Sequence, residues 1–234
     1  MASQRESDQD IYRMRPVAHI RSVYPEKFGI PRQSGLVDSV ATITLEKEFA
    51  TPEIVRGLEQ FSHLWLLWVF SEHTQELWHA TVRPPRLGGN ERVGVFATRS
   101  PFRPNPIGLS CVELLSVDME AEGGPVLHVK GADLMDGTPI LDIKPYIPYA
   151  DAHPEAAEGF TSKNDDYRLT VDADEALLSL LPEELRPVLL ETLTQDPRPQ
   201  YHDDPERIYG MAFAGYNITF RVADNVLHLL NIEK

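Results

Sequence analysis

Residues Arg83 to Ser110 read RPPRLGGNERVGVFATRSPFRPNPIGLS. Five arginines (Arg83, Arg86, Arg92, Arg99, Arg103) stand against one acid, Glu91, so this stretch is locally basic in a chain of formal net charge −14. Prolines 84, 85, 101, 104 and 106 fix φ, and glycines 88, 89, 94 and 108 permit unusual turns. Such a stretch is either a shaped loop or a linker, and a linker would not enclose the strand-like Arg92–Thr98. The reading is two stiff, arginine-bearing loops around one buried strand, a build suited to an anionic, planar ligand.

Working outward, Pro16–Ile20 and Ser39–Leu45 alternate apolar and polar residues as strands do. Between them Tyr24–Leu36 makes a long excursion with two prolines and two glycines, and loops of that length inside a compact domain tend to be functional. Thr51-Pro52-Glu53 predicts the capped start of a short helix that stops near Gly57. Phe61–Phe70, with Trp65 and Trp68, predicts a central strand buried on both faces. Val93–Thr98, Leu109–Val117, Val126–Gly131 and Pro139–Ile143 predict four more strands, the last two separated by the Asp136-Gly137 turn.

Many short strands with almost no helix between them predict a mainly β protein, with a single closed β-barrel as its N-terminal domain (residues 12–150). Residues 151–166 read as a linker and 167–234 as a small α+β C-terminal domain. In the latter, Asp174–Leu181 and Pro182–Leu193 predict helices, and Tyr209–Val222 and Val226–Ile232 predict a hairpin about Asp224-Asn225. Residues 1–11 are expected to be disordered.

Composition narrows the chemistry. The 234 residues are 42% hydrophobic and 25% charged, ordinary for a globular protein. The lone Cys111 precludes an internal disulfide and fits a reducing compartment. A polar N-terminus and the absence of a long apolar run predict a soluble, cytoplasmic protein with no membrane partner. The eight histidines are scattered without metal-ligand spacing, so no metal is expected. P-loop, dinucleotide and serine-hydrolase signatures are lacking. What remains is a set of loops: Ile30–Gly35, Arg99–Gly108, Asp133–Pro139 and Leu141–Tyr146. Asp133 and Asp142 read equally well as structural partners of arginines.

Residues 83–110, with DGTPILDIKPYIPYAD (Asp136 to Asp151) and TQDPRPQY (Thr194 to Tyr201), closely resemble the TsaA-like, or TrmO, family of bacterial tRNA methyltransferases. The resemblance implies an S-adenosylmethionine-dependent enzyme built on a β-barrel. It implies methylation of the N6 nitrogen of threonylcarbamoyl-adenosine beside the anticodon of threonine tRNA, by a homodimer that grips the anticodon stem-loop. By the same resemblance the cofactor is held by Pro31, Arg32, Gln33, Ser34, Gly35, Ser71, Glu72, Arg99, Leu109, Gly131, Ala132 and Asp133. Arg99 would meet the cofactor carboxylate, Leu109 would pack on adenine, and backbone near Asp133 would read the adenine edge. Glu72, where relatives also use His or Gln at this pair, would attract the sulfonium or bond the ribose.

Arg83, Arg86, Arg103, Asn105 and Lys144 are the expected tRNA contacts. If a general base exists, Asp136 and Asp142 come first and Tyr146 next. Two rivals stay open: a methyltransferase with another RNA or small-molecule acceptor, and a non-catalytic RNA- or nucleotide-binding module.

Overall fold

A computed structural model describes residues 12–72, 78–84, 91–163, 167–198 and 204–234. Residues 1–11, Arg86, the glycine pair 88–89 and the end of the TQDPRPQY motif, all discussed above, lie outside the described residues.

Alternating apolar residues produce the barrel. Its strands are β1 (Ala18–Arg21), β2 (Val40–Leu45), β3 (His63–Val69), β6 (Ile107–Asp118), β7 (Val126–Lys130) and β8 (Pro139–Pro145). They close antiparallel in the order β1-β2-β7-β6-β3-β8, with β8 returning to β1 through Ala18↔Ile140. In β2, Ala41, Ile43 and Leu45 point inward and are buried, while Val40, Thr42 and Thr44 face outward. Ile20, Leu64, Leu66, Val112, Leu127, Val129 and Ile140 fill the same interior. Burying each large aliphatic side chain stabilises the fold by about 2 kcal/mol.

β3 departs from the expectation of burial on both faces. Leu64, Leu66 and Trp68 are buried, but Trp65, Leu67 and Val69 are only half-buried, because a closed sheet has one interior. Opposite them on β6 stand Cys111, Leu109 and Ile107, so the outer wall here carries an apolar strip.

The expected strand Val93–Thr98 is shorter. Only β5 (Val93–Gly94) is extended, and it pairs with β4 (Thr81–Val82) as a separate ribbon. Val95–Ala97 then winds into a 3-10 turn closed by Thr98, whose N–H and Oγ1 both donate to the Val95 carbonyl. Pro52–Val55 is likewise a 3-10 turn, and the Thr51 side chain makes no capping hydrogen bond. Helix α1 (Pro148–Asp151) ends the barrel segment. Asp151, placed in the linker from sequence, accepts from Trp65 Nε1 at 3.0 Å and from the Ile147 N–H at 2.8 Å.

The C-terminal unit contains β9 (Thr170–Asp172), α2 (Glu175–Leu178), α3 (Leu185–Thr194), β10 (Ile208–Phe213), β11 (Tyr216–Ala223) and β12 (Val226–Glu233). Its sheet runs β10-β11-β12-β9, with β9 parallel to β12. The predicted hairpin arm Tyr209–Val222 is two strands, because Ala214 and Gly215 turn the chain with φ of 50° and 81°. Val188, Leu189 and Leu193 of α3 share one buried core with Phe213, Phe220 and Leu227. Tyr24 and Val37, from the excursion between β1 and β2, are buried in this same core. That excursion therefore belongs to both units.

Candidate functional site

A cavity of about 620 Å³ opens where β3 ends and β6 begins. Three segments meet there: Ile30–Gln33 from the excursion, Thr98–Arg103 from the proline-rich loop, and Asp133–Met135 after β7. Trp68, Phe70, Ile107 and Leu109 form apolar wall. The floor depends on one close approach: a Cβ at Gly108 would sit 2.2 Å from the Trp68 ring. Trp68 is thereby held flat against the strand, and its Nε1 donates to Ser110 Oγ at 3.0 Å.

Ser110 in turn donates to Asp133 Oδ1 at 2.5 Å. Burial pushes the Asp133 carboxyl above the ordinary carboxylate range, because the charged form is poorly solvated there; the Ser110 bond and the Arg99 charge offset this only in part. Across the mouth, the Arg99 guanidinium donates to Gln33 Oε1, joining two of the converging loops.

The cationic side chains around the cavity are anchored on neutral oxygens. Lys27 Nζ donates to the Glu72 carbonyl at 3.0 Å, and Arg103 Nη1 to the Thr98 carbonyl at 2.9 Å. Arg32 Nη2 donates to the Asp196 carbonyl at 3.1 Å. These contacts orient the cations, so that Lys27, Arg32, Arg99 and Arg103 are gathered around the cavity of an acidic protein.

Of the residues expected at the cofactor, Pro31, Arg32, Gln33, Ser71, Glu72, Arg99, Leu109 and Asp133 line this cavity. Ser34, Gly35, Gly131 and Ala132 stand behind it. Gly35 N–H donates to the Gly131 carbonyl at 2.8 Å, the Cys111 N–H donates to Ser34 Oγ at 3.2 Å, and Ala132 is buried. Of the expected tRNA contacts only Arg103 lines the cavity. Arg83 and Asn105 are exposed and do not line it, Lys144 sits on the outer barrel wall, and Arg86 lies outside the described residues.

The three candidate bases stand outside the cavity, each engaged elsewhere. Asp136 accepts from Arg21 at 3.2 Å and from the Ser22 N–H at 3.0 Å, pinning β1 to the turn before β8. Asp142 pairs with Lys144 at 2.6 Å on the outward side of β8, a lysine rather than the anticipated arginine. Tyr146 packs near His63 and Trp65 at the opposite end of β3. Their shared short motif suggested proximity to the site: Asp136 lies in the turn between Met135 and Thr138, which do line the cavity, whereas β8 runs from there and takes Asp142 to its outer face and Tyr146 to its far end.

The sequence reading missed Lys27, Trp68, Phe70, Phe102, Ser110, Met135 and Thr138 at the site. Trp68 and Phe70 read as core because their run is so apolar, and the pairing Trp68↔Gly108 depends on a long-range register.

Residues 19–152 match the tRNA-methyltransferase O N-terminal domain, and residues 168–234 match the TrmO C-terminal domain. The chain belongs to the TrmO family. It is 41% identical over 231 residues to a protein of Escherichia coli (strain K12) named tRNA (adenine(37)-N6)-methyltransferase, covering 95% of this chain and 98% of that one. A protein of the same name from Eikenella corrodens is 49% identical over 162 residues, covering 69% and 91% of the two chains. The crystal structure of TrmO from Pseudomonas aeruginosa superposes with a TM-score of 0.75 at 35% identity, over 96% of this chain and all of that one. Among the described residues, no helix is long and apolar enough to cross a membrane, and no group of three or more His, Cys, Asp or Glu is placed to hold a metal.

Proposed function

We propose that this TrmO-family chain transfers a methyl group from S-adenosylmethionine to the N6 nitrogen of adenine 37 in tRNA, where that base carries a threonylcarbamoyl group, in threonine tRNA. The observation that carries the reading is the convergence of Gln33, Arg99 and Asp133 on one cavity with apolar walls and a cationic mouth. The residues present fit the cofactor's chemistry. Arg99 suits an amino-acid carboxylate, Leu109 and Phe102 offer apolar surface to a purine, and Asp133 is a carboxylate acceptor fixed by Ser110. When bound, the cofactor supplies an electrophilic methyl carbon.

The chain's own contribution is chiefly placement. The prolines at 31 and 101 stiffen the two loops that wall the cavity, lowering the entropy lost when a ligand orders them. Arg103 and Lys27, tethered to carbonyls, keep their charge available for the acceptor's carboxylate and for nearby phosphates. The carbamoyl group acidifies the acceptor N–H, so the demand on a base is small. Asp133 and Glu72 are the carboxylates on the cavity wall, which neither Asp136 nor Asp142 lines.

The reading extends to a homodimer that works in the cytoplasm, the compartment of its tRNA. The outward strip Trp65, Leu67, Ile107 and Leu109 continues into the cavity through Ile107 and Leu109, and a second copy seated there would border the site. The test is nucleoside mass spectrometry of tRNA incubated with the protein and labelled cofactor. Label on N6-methyl-threonylcarbamoyladenosine, and none on tRNA lacking the threonylcarbamoyl group, is the expected result. Equal labelling of both tRNAs, label only on another acceptor, or cofactor binding without any transfer would overturn it.

A further inference from the structure

The segment Thr194-Gln-Asp-Pro-Arg198 follows α3, far in sequence from the loops around the cavity, yet it reaches one of them. Asp196 is the pivot. Its backbone is left-handed, with φ of 52°, and the residue is 3% exposed. A buried carboxylate needs partners, and Arg198 and Tyr167 supply them, the Arg198 backbone N–H donating to Oδ1 at 3.3 Å. The Arg198 side chain binds it through two nitrogens, Nε to Oδ1 at 2.9 Å and Nη2 to Oδ2 at 3.0 Å, and the Tyr167 hydroxyl donates to Oδ2 at 3.1 Å. With the side chain fixed this way, the Asp196 carbonyl accepts from Arg32 Nη2 at 3.1 Å. Arg32 is on the cavity wall.

Neighbouring contacts act on the same excursion. Glu191 Oε2 accepts from the Asp38 N–H at 2.7 Å, Gln195 Nε2 donates to the Leu36 carbonyl at 3.4 Å, and the Tyr24 hydroxyl meets Thr192 Oγ1 at 3.2 Å. These bonds anchor the ends of the excursion, while the Asp196–Arg32 bond reaches the part that faces the ligand.

We infer that the Asp196–Arg198–Tyr167 cluster of the C-terminal unit is a latch that positions Arg32, and with it the Pro31–Gly35 wall of the cavity. Asp196 is a positioning residue, acting through Arg32 without touching the ligand. A purely structural cluster would stabilise the C-terminal unit and leave this wall indifferent to its loss. The latch gives the C-terminal unit a share in ligand binding within its own chain. This deepens the proposed function and rests on that cavity being the ligand site.

The Gly35 amide is a natural reporter, because it donates to the Gly131 carbonyl only while the wall is seated. Hydrogen exchange of that amide in the ligand-free full chain, measured for wild type, Asp196→Asn, Arg32→Ala and the double variant, tests the latch. The expected result is exchange at Gly35 faster by about tenfold or more in each single variant and no faster in the double. Barrel amides such as Ile43 and Leu66 should keep their wild-type rates. Calorimetric affinity for S-adenosylmethionine should fall in the same non-additive pattern. Unchanged exchange at Gly35, a uniform rise across the barrel, multiplying effects in the double variant, or an affinity that ignores Asp196→Asn would each overturn the inference. Should Asp196→Asn fail to fold, Tyr167→Phe, which removes one bond to the same carboxylate, must show the same localised rise in smaller measure. A wild-type chain that binds no cofactor would sink the functional reading, while the exchange cycle would still judge the latch.

Discussion

Asp133 shows how one side chain ties stability to the site. Its carboxyl has a folded-state pKa above the ordinary 3.8 because burial outweighs Ser110 and Arg99. The stability it allows is therefore whole below that ordinary value and is lost as pH rises through the raised one. Asp133→Asn removes the titration while keeping an acceptor for Ser110. Its melting temperature at pH 7 should rise by about 2 °C, the gain should vanish at pH 3, and cofactor affinity should drop. Calorimetric melts at the two pH values check the sign. Gly108 makes the converse case. Its substitution by alanine drives a Cβ into the Trp68 ring, and overpacking of this kind costs about 2 kcal/mol. Urea unfolding should show that loss, and displacement of Trp68 should weaken ligand binding with it. Arg99→Ala, which frees Gln33 and removes a cation from the mouth, should weaken S-adenosylmethionine binding by about tenfold or more with little change in melting temperature; a charged hydrogen bond of that kind contributes about 1.5–3 kcal/mol.

The elements divide by how locally they are encoded. β2 was legible because Val40–Leu45 alternates cleanly, and the Asp136-Gly137 turn announced β8. The strand expected at Val93–Thr98 failed because its turn is closed by Thr98 on the Val95 carbonyl, a bond that alternation does not encode. β9, three residues long, exists because β12 offers it a parallel edge, and nothing within Thr170–Asp172 specifies that. The same division holds at the site. Gln33, Arg99 and Asp133 lie in loops that composition singles out and that converge on the cavity, whereas Ser110 and Trp68 reach it through a register set across the barrel. Where Asp136 and Asp142 sit is non-local too: Asp136 is engaged by Arg21 and Ser22 of the β1 end, and Asp142 faces outward on β8 beside Lys144. The junction between β7 and the excursion is equally non-local. Gly131 has φ of 85° and faces the Gly35 backbone, so an added Cβ would lie 3.3 Å from it. Gly131→Ala should cost about 1–2 kcal/mol, a fall of about 3–6 °C in melting temperature, and should speed exchange at Gly35.

The whole molecule is two cores sharing one excursion. Because Tyr24 and Val37 belong to the C-terminal core while Gly35 is pinned to the barrel, unfolding should be a single transition by calorimetry and by tryptophan fluorescence. Charge is also divided at this scale. With −14 overall and cations gathered at the mouth, tRNA affinity should fall steeply with salt, by about tenfold or more between 50 and 200 mM, as binding titrations can show. The excursion has one further duty. Glu26 accepts from the Ala212 N–H at 2.9 Å, and the Val23 carbonyl accepts from the Ala214 N–H at 2.8 Å. These bonds occupy part of the free margin of β10, the outermost strand of its sheet, where bare amides would invite pairing with another chain. Selection for a new ligand therefore has little freedom here: remodelling the Val23–Asp38 segment to alter specificity would also unmask a sticky flank, so diversification should fall on the Thr98–Arg103 side of the cavity.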